Sequence, residues 1–337
     1  MTKEKLPPPQ AQKVLWIDIA KVLGIYLMII GHKGLVDEQC TKFIFSFHMP
    51  MFFILSGMLY HPVRVIQTII KVYRTLLLPF VIMTCIWLIY DLMLIVKNKI
   101  AISALIPYII GSFISPGNSY MSFHPICEYL WFLVALAEIK VLLSFSNNIL
   151  KMVCISCMCL LLNLVFNHFN IHLPFALNSA FLAMPFFVIG YIGSKFLIYS
   201  YSKIINYGCF LFCTIVTGML SLYNERVDIN NNIFGNDMIL YLLCGLIGTI
   251  GLFSLSKILS YNINHYILSI VRTLSSGTLL IIGFSAFITS IYQDLAQDFN
   301  WISYSFRGLL IGFSVLMTFI PITLCVKKIF PALLGFR

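Results

Sequence analysis

Three ionisable side chains, Asp18, Lys21 and His32, interrupt the apolar stretch between residues 16 and 32. An ionisable group near the middle of a membrane helix costs roughly 2.5–3.5 kcal/mol on insertion scales, so three in one helix favour a functional role. At about 100° per residue, Lys21 and His32 lie roughly 20° apart around the helix, and Asp18 lies roughly 60° from Lys21. The three groups therefore share one stripe. The alternative is that Asp18 and Lys21 anchor the helix at the interface while His32 caps its far end.

A second histidine, His48, follows in another mostly apolar stretch. The loop between the first two predicted helices is about ten residues long, so we expect His48 to begin the second helix close to His32. Imidazole titrates near neutral pH, and two histidines at one membrane face are candidates for proton transfer. The alternative, that His48 only orients the second helix through a hydrogen bond, stays open at this point.

Two more pairs of residues are candidates for binding substrates on opposite sides of the membrane. Lys71 and Arg74 share a helix face, where they could bind the phosphates of a cytoplasmic cofactor or simply anchor the helix on that side. Glu128 and Trp131 combine a carboxylate with an aromatic face. That combination suits a carbohydrate, but it is also typical of an interfacial aromatic belt. The sequence alone leaves both choices open.

The elements that position these residues are predicted to be membrane helices. Of the 337 residues, 60% are hydrophobic and 10% are charged, and the mean hydropathy is +0.94. Soluble domains carry about 25% charged residues. Long apolar runs favour helices over a barrel, whose strands would alternate. We therefore predict an all-α integral membrane protein with about ten transmembrane helices, at residues 14–32, 43–60, 73–96, 127–144, 149–168, 177–198, 204–223, 236–256, 276–293 and 303–326.

The basic residues predict the sidedness of these helices. With the N-terminus inside, fifteen of the 22 Lys and Arg residues fall on the cytoplasmic side and six outside, so both termini are predicted to be cytoplasmic. Topology thus explains the net charge of +10, and nucleic acid is not expected as a partner. The predicted organisation is a cytoplasmic tail of residues 1–13, one transmembrane domain of residues 14–326 and a C-terminal cytoplasmic tail of residues 327–337. Residues 101–115 are placed in a long loop, with an interfacial helix as the alternative.

The ten cysteines do not predict a disulfide framework, because most of them lie inside apolar runs. Cys154, Cys157 and Cys159 superficially resemble a redox or metal motif. No histidine or acidic residue stands near them in the sequence, so we interpret them as packing residues. No metal site is expected.

Together, these motifs resemble the acyltransferase family 3 membrane proteins, particularly the branch similar to fucose 4-O-acetylases. The most specific match reads His-Met-Pro-x-Phe-Phe-x-x-Ser-Gly and runs from His48 to Gly57. Weaker matches follow the expected order: Asp18 to Lys21, Gly31-His32, Lys71-x-x-Arg74 with Pro79, Leu130 to Leu133 and Phe186 to Tyr191. The matches cover most of the first six spans, and the later third of the chain matches only loosely.

The resemblance implies a ten-helix fold that moves an acyl group, commonly acetyl from acetyl-CoA, onto a sugar hydroxyl of a surface polysaccharide or its precursor. The family's basic-x10-His pattern falls on Lys21 and His32. Relatives often carry arginine at the first position. Lys21 keeps the positive charge of arginine but cannot form the paired hydrogen bonds of a guanidinium group. The family's paired basic motif falls on Lys71 and Arg74. Relatives often carry a further histidine late in the chain, where this sequence has Ser285.

The resemblance also suggests a role for each polar residue of the first helix. His32 is expected to be the general base that takes the proton of the acceptor hydroxyl, and a transient acyl-His32 is the alternative. Lys21 is assigned to the donor or to charge balance, and Asp18 to holding Lys21. The CoA phosphates are expected at the paired basic motif on the cytoplasmic face. The acceptor would approach from outside, beneath the loop of residues 97–127.

We therefore expect a multi-pass O-acyltransferase of the bacterial inner membrane, whose partners are the lipid bilayer, an acyl-CoA donor and a glycan acceptor. A competing hypothesis is an exporter of a glycan or lipid-linked sugar, which would use the same polar residues as a pathway without acyl transfer. A membrane sensor or scaffold is a third. The sequence leaves open the acceptor sugar and whether the chain forms a homo-oligomer.

Overall fold

Helices make up most of the described chain. The computed structural model describes residues 9–97, 105–114, 129–198, 202–297 and 303–335. The α-helices in these ranges are α1 (Pro9–Gly31), α2 (Glu38–Met58), α3 (Val65–Val72), α4 (Leu78–Lys97), α5 (Leu105–Ile114), α6 (Trp131–Ser144), α7 (Ile149–His168), α8 (Leu177–Ile198), α9 (Lys203–Tyr223), α10 (Met238–Ser260), α11 (His265–Ser276), α12 (Thr278–Leu295) and α13 (Tyr304–Ile329). A π-helical turn (Tyr73–Leu77) joins α3 to α4, and a 3-10 helix (Pro331–Leu334) follows α13.

The helices confirm the predicted class of an all-α membrane protein. A helix lies on each of the ten predicted spans, and eight helices in the described ranges are long and apolar enough to cross a bilayer. The count of ten crossings and the cytoplasmic position of both termini stay predictions. The segment 101–115, which we placed in a loop or an interfacial helix, contains α5.

Helix α2 begins earlier than predicted and α11 was not predicted, because polar residues begin helices that we read as loop. The second helix starts at Glu38 rather than at residue 43, since the Asp37 carboxylate caps it by accepting a hydrogen bond from the backbone N–H of Cys40 at 2.9 Å. That bond lowers the pKa of the Asp37 carboxyl below its usual value. His48 therefore lies in the third turn of α2 and does not begin it. Helix α11 was not predicted; Asn264 caps it.

The bundle is organised around α2, the most buried of the eight candidate membrane helices, whereas α7 and α9 are the least buried. Helices α2 and α8 cross at two glycines. A Cβ atom on Gly57 would collide with the carbonyl oxygen of Phe187, and one on Gly190 would collide with the carbonyl oxygen of Ile54. The two backbones are therefore in direct contact, as small residues allow in membrane helices.

The two ends of the bundle carry different polar groups. At the end where α1 finishes, which we call the histidine end, Gln293 donates a hydrogen bond to the carbonyl oxygen of Lys33 at 2.8 Å, and Tyr304 donates one to the carbonyl oxygen of Gly34. These bonds tie the α1–α2 loop to α12 and α13. At the opposite end, which we call the lysine end, the C-terminal 3-10 helix and Lys21 line one cavity. The first and last described segments therefore meet at the lysine end.

Candidate active site

The two histidines lie side by side at the histidine end. The ring centroids of His32 and His48 are 5.9 Å apart. Phe45 packs against both rings, at 4.7 Å from His32 and 5.0 Å from His48, and Tyr129 contacts His32 at 4.5 Å. The proximity that we predicted from the short connecting loop is thus confirmed. The aromatic neighbours hold the imidazole of His32 in an apolar setting.

A backbone hydrogen bond fixes the orientation of the His48 ring. Its Nδ1 lies 2.9 Å from the carbonyl oxygen of Ile44, one helical turn earlier. A carbonyl oxygen only accepts, so Nδ1 carries the proton in the neutral ring and Nε2 is left with a free lone pair. His48 is only 1% exposed, and its Nε2 has no hydrogen-bond partner in the described part of the chain. A buried, unpartnered nitrogen of this kind is suited to accept a proton or a hydroxyl hydrogen bond.

Both histidines line one cavity of about 200 Å³, which we call the histidine cavity. Its walls come from α1, α2, α6, α12 and the loop between α9 and α10. Trp131, predicted as a substrate-binding residue, lines it, whereas Glu128 lies outside the described residues. Arg226 also lines it, with its guanidinium carbon 4.2 Å from the centroid of the Phe45 ring. The cavity therefore brings a cation and two imidazoles together with apolar side chains, and Asp228, Asn230 and Asn231 line it as well.

The loop that carries Arg226 is held in place by asparagines. Asn163 of α7 donates hydrogen bonds to the Asn178 carbonyl oxygen and to the Asn232 side chain, both at 2.8 Å. Asn167, one turn further along α7, donates to the Asn232 carbonyl oxygen at 2.9 Å. Because Asn163 is fully buried, these bonds are formed in a low-dielectric setting where leaving them unmade is costly. The outer wall of the histidine cavity is therefore preorganised.

Asp18 and Lys21 line a second cavity, of about 460 Å³, which we call the central cavity. His32 does not line it, so the three ionisable residues of the first helix are divided between two cavities. The Asp18 carboxylate accepts a hydrogen bond from Ser275 of α11 at 2.6 Å. Its predicted role of holding Lys21 stays a prediction. Arg272 of α11 lines the central cavity as well.

The histidine cavity and the central cavity have two lining residues in common, Phe52 of α2 and Phe132 of α6. Both side chains are buried, and their ring centroids lie 5.8 Å apart. Residues of the two cavities belong to the same helices, α1, α2 and α6, so the cavities follow one another along the bundle. The path from Lys21 to His32 covers about 16 Å of helix rise.

The paired basic motif lies beside the central cavity. Lys71 lies in the last turn of α3 and Arg74 lies in the π-helical turn, and both are exposed. Leu76 of the same turn lines the central cavity, which Lys71 and Arg74 do not line. π-Helical turns occur often at functional sites. Whether this pair binds the donor stays a prediction.

Ser285, which stands where relatives often carry histidine, is 1% exposed on α12, and its Oγ has no hydrogen-bond partner among the described residues. Ile282, on the same helix, lines the histidine cavity, but Ser285 does not.

A comparison with protein-family models matches residues 14–326 to the acyltransferase 3 family, whose model is described as an acyltransferase domain. The chain belongs to this acyltransferase family. The match covers both histidines, α11 and every residue that lines the central cavity except Leu334. Searches of curated proteins and of solved structures gave no match.

Sequence reasoning missed two cationic residues of this acyltransferase's cavities, Arg226 and Arg272. Arg226 lies in a polar loop far from either histidine along the chain, and nothing local connects it to them. Arg272 lies on α11, which we had read as loop. The signal for α11 was present: polar residues recur every three or four positions at His265, Ser269, Arg272 and Ser276, behind an asparagine cap.

Proposed function

We propose that this acyltransferase is an O-acetyltransferase of the bacterial inner membrane, which moves an acetyl group from acetyl-CoA to a sugar hydroxyl of a surface polysaccharide or its precursor. The observation that carries the proposal is the pair of imidazoles, one with a buried free lone pair, in a cavity that a hydroxyl can enter. A family of acyltransferases needs such a base, because a sugar hydroxyl is a weak nucleophile until its proton is removed.

In the proposed reaction, His32 takes the proton of the acceptor hydroxyl as its oxygen attacks the thioester carbonyl. The carbon–sulfur bond then breaks, and the CoA thiolate leaves with the proton that His32 returns, so the histidine is regenerated. The Nε2 atom of His48 is the second proton acceptor in the cavity. The competing route, in which His32 itself becomes acetylated and then passes the group to the sugar, uses the same residues in two steps.

The two polar substrates are proposed to enter from opposite ends. The acetyl donor enters at the lysine end through the central cavity, and its thioester reaches past Phe52 and Phe132 toward His32. The acceptor sugar enters at the histidine end, where Trp131 offers an aromatic face and Arg226 a charged donor. The shared aromatic residues support this arrangement because they put both cavities on one path.

The test uses purified full-length protein in sealed liposomes, with labelled acetyl-CoA and polysaccharide extracted from a strain in which this gene is deleted. We expect labelled ester on the polysaccharide, and we expect His32→Ala to lower the rate about 10²- to 10⁴-fold. The matched control is His168→Ala, since His168 is exposed at the end of α7 and lines neither cavity. It should keep the rate of the native protein.

Three results would contradict parts of the proposal. Translocation of the polysaccharide without label transfer would favour the exporter hypothesis. Full activity of His32→Ala would remove the histidine from the mechanism. Acetylation only when donor and acceptor are on the same side of the liposome would overturn the entry from opposite ends.

A further inference from the structure

A third cavity, of about 200 Å³, lies between α11 and α13 at the lysine end. We call it the basic cavity, because Arg272, Lys327 and His265 line it. No carboxylate is found on its walls within the part of the chain that the structure describes. The remaining polar lining consists of hydroxyl groups, from Ser269, Thr273, Ser276 and Thr323. Cationic side chains combined with hydroxyl donors are the groups that bind phosphate.

One of these hydroxyls lacks a partner. Thr323 is fully buried, and its Oγ1 has no hydrogen-bond partner among the described residues. Buried polar atoms in native proteins almost always have one, and this Oγ1, which lies against Gly277, is a hydroxyl that a ligand in the cavity can still satisfy. By contrast, the hydroxyls of Thr273 and Ser276 already donate to the carbonyl oxygens of Ser269 and Thr273. The hydroxyls of Thr273 and Ser276 can therefore only accept a further hydrogen bond, whereas the hydroxyl of Thr323 can still donate one.

The basic cavity is joined to the reaction path. Arg272 and Ser276 line both the basic cavity and the central cavity, which in turn shares Phe52 and Phe132 with the histidine cavity. The three cavities therefore form a series: cations at one end, a mostly apolar middle and the two imidazoles at the other end. A ligand that fits this series has phosphates at one end, a long thin arm and a reactive acyl group at the other.

We propose that the basic cavity binds the phosphate groups of the acyl-CoA donor, with Arg272 and Lys327 as the charged ligands and Thr323 as a hydroxyl donor. This inference rests on the proposed function. It assigns the phosphates to α11 and α13 instead of the exposed pair Lys71 and Arg74. Arg272 is central to the assignment, because it lines both the basic cavity and the central cavity. A donor bound at Arg272 can extend its arm through the central cavity, past Lys21, toward His32.

The test is direct binding of adenosine 3′,5′-bisphosphate, the phosphate-bearing end of CoA, to the purified full-length protein, measured by titration calorimetry. A charged hydrogen bond is worth about 1.5–3 kcal/mol, so we expect Arg272→Gln and Lys327→Gln each to weaken binding about 10- to 100-fold. In acetyl transfer, both variants should raise KM for acetyl-CoA by a similar factor and keep kcat. The matched control is Lys328→Gln, since Lys328 lies in the same last turn of α13 but does not line the basic cavity.

The outcomes separate this proposal from the proposed function. If Arg272→Gln and Lys327→Gln bind the bisphosphate as the native protein does, the basic cavity is not the phosphate site. If Lys71→Gln loses binding of the bisphosphate while Arg272→Gln keeps it, the phosphate site lies at the paired basic motif, and the proposal is wrong. Binding that depends on Arg272 in a protein without acetyl transfer would support the phosphate site and contradict the proposed function.

Discussion

The rings of Phe52 and Phe132 lie 5.8 Å apart at the point where the histidine cavity and the central cavity meet. One side chain comes from α2 and the other from α6, and both are 5% exposed. At this distance and an interplanar angle of 60° the two rings are in edge-to-face contact, so they close the junction between the central cavity and the two imidazoles. In the proposed reaction, an acyl group that reaches His32 from the lysine end has to displace one of these rings.

Replacing one of these rings should widen the path and change the acyl groups that the enzyme accepts. We expect Phe132→Leu to raise the rate with butyryl-CoA relative to acetyl-CoA at least about tenfold, because each methylene that finds room is worth about 1–3 kcal/mol. The measurement is the ratio of the two kcat/KM values. Phe187→Leu is the control, since Phe187 is buried but lines neither cavity. An unchanged ratio in Phe132→Leu would show that the pair does not limit the path.

The two ring nitrogens of His48 have different roles, which a substitution can separate: Nδ1 holds the ring through its hydrogen bond to Ile44, and Nε2 is the candidate proton acceptor. Asparagine can donate from its amide as Nδ1 does, and it can keep the hydrogen bond to Ile44 while removing the lone pair of Nε2. If Nε2 takes part in proton transfer, His48→Asn should lower kcat about 10²-fold or more with little change in thermal stability. The measurement is the acetylation rate beside a melting curve in detergent. A variant that keeps the native kcat would reduce His48 to orienting α2.

Arg226 should act on the acceptor and not on the donor. We expect Arg226→Gln to raise KM for the polysaccharide about tenfold or more and to leave KM for acetyl-CoA unchanged, because its guanidinium lies on the outer wall of the histidine cavity. Steady-state rates with each substrate varied in turn will show this. Lys42→Gln is the control: Lys42 pairs with Glu38 at the same end but does not line the cavity. A change in the acetyl-CoA KM alone would contradict this assignment.

The crossing of α2 and α8 predicts a large difference between two substitutions of the same type. Gly57→Ala places a Cβ against the carbonyl oxygen of Phe187, whereas the Cβ of Gly218→Ala on α9 meets nothing within 4 Å. We expect Gly57→Ala to lower the free energy of unfolding by about 1–3 kcal/mol through overpacking. Gly218→Ala should be neutral or stabilise by up to about 1 kcal/mol, since alanine favours the helix. Thermal unfolding in detergent measures both, and equal melting temperatures would contradict the close crossing.

The class of fold and the pairing of the histidines could be predicted from the sequence because both follow from local patterns. Long apolar runs give the helices, and a short loop between the first two places His32 near His48. The start of α2 was predicted too late, because a polar first turn with its cap at Asp37 resembles a loop in a search for apolar runs. Helix α11 was missed for a similar reason: it is amphipathic and only 12 residues long.

The cavities could not be predicted, because each is built from residues that are distant in the sequence. Arg226 lies beside the histidines because asparagines of α7 hold the loop that carries it. Arg272 lines the same cavity as Lys21 because α11 packs beside α1, where Ser275 donates a hydrogen bond to Asp18. No periodicity in one segment encodes which face of another segment it will contact. The sequence identified several of the ionisable groups that line the cavities, and the packing decides which of them share a cavity.

The aromatic pair at Phe52 and Phe132 also bears on the energy balance of the cell. A continuous file of water between the two ends of the bundle, with imidazoles along it, would conduct protons and dissipate the gradient that an energised membrane maintains. Two buried rings at the junction interrupt such a file. Under the proposed function, the acyl group crosses this junction while the two rings keep the ends of the bundle electrically separate.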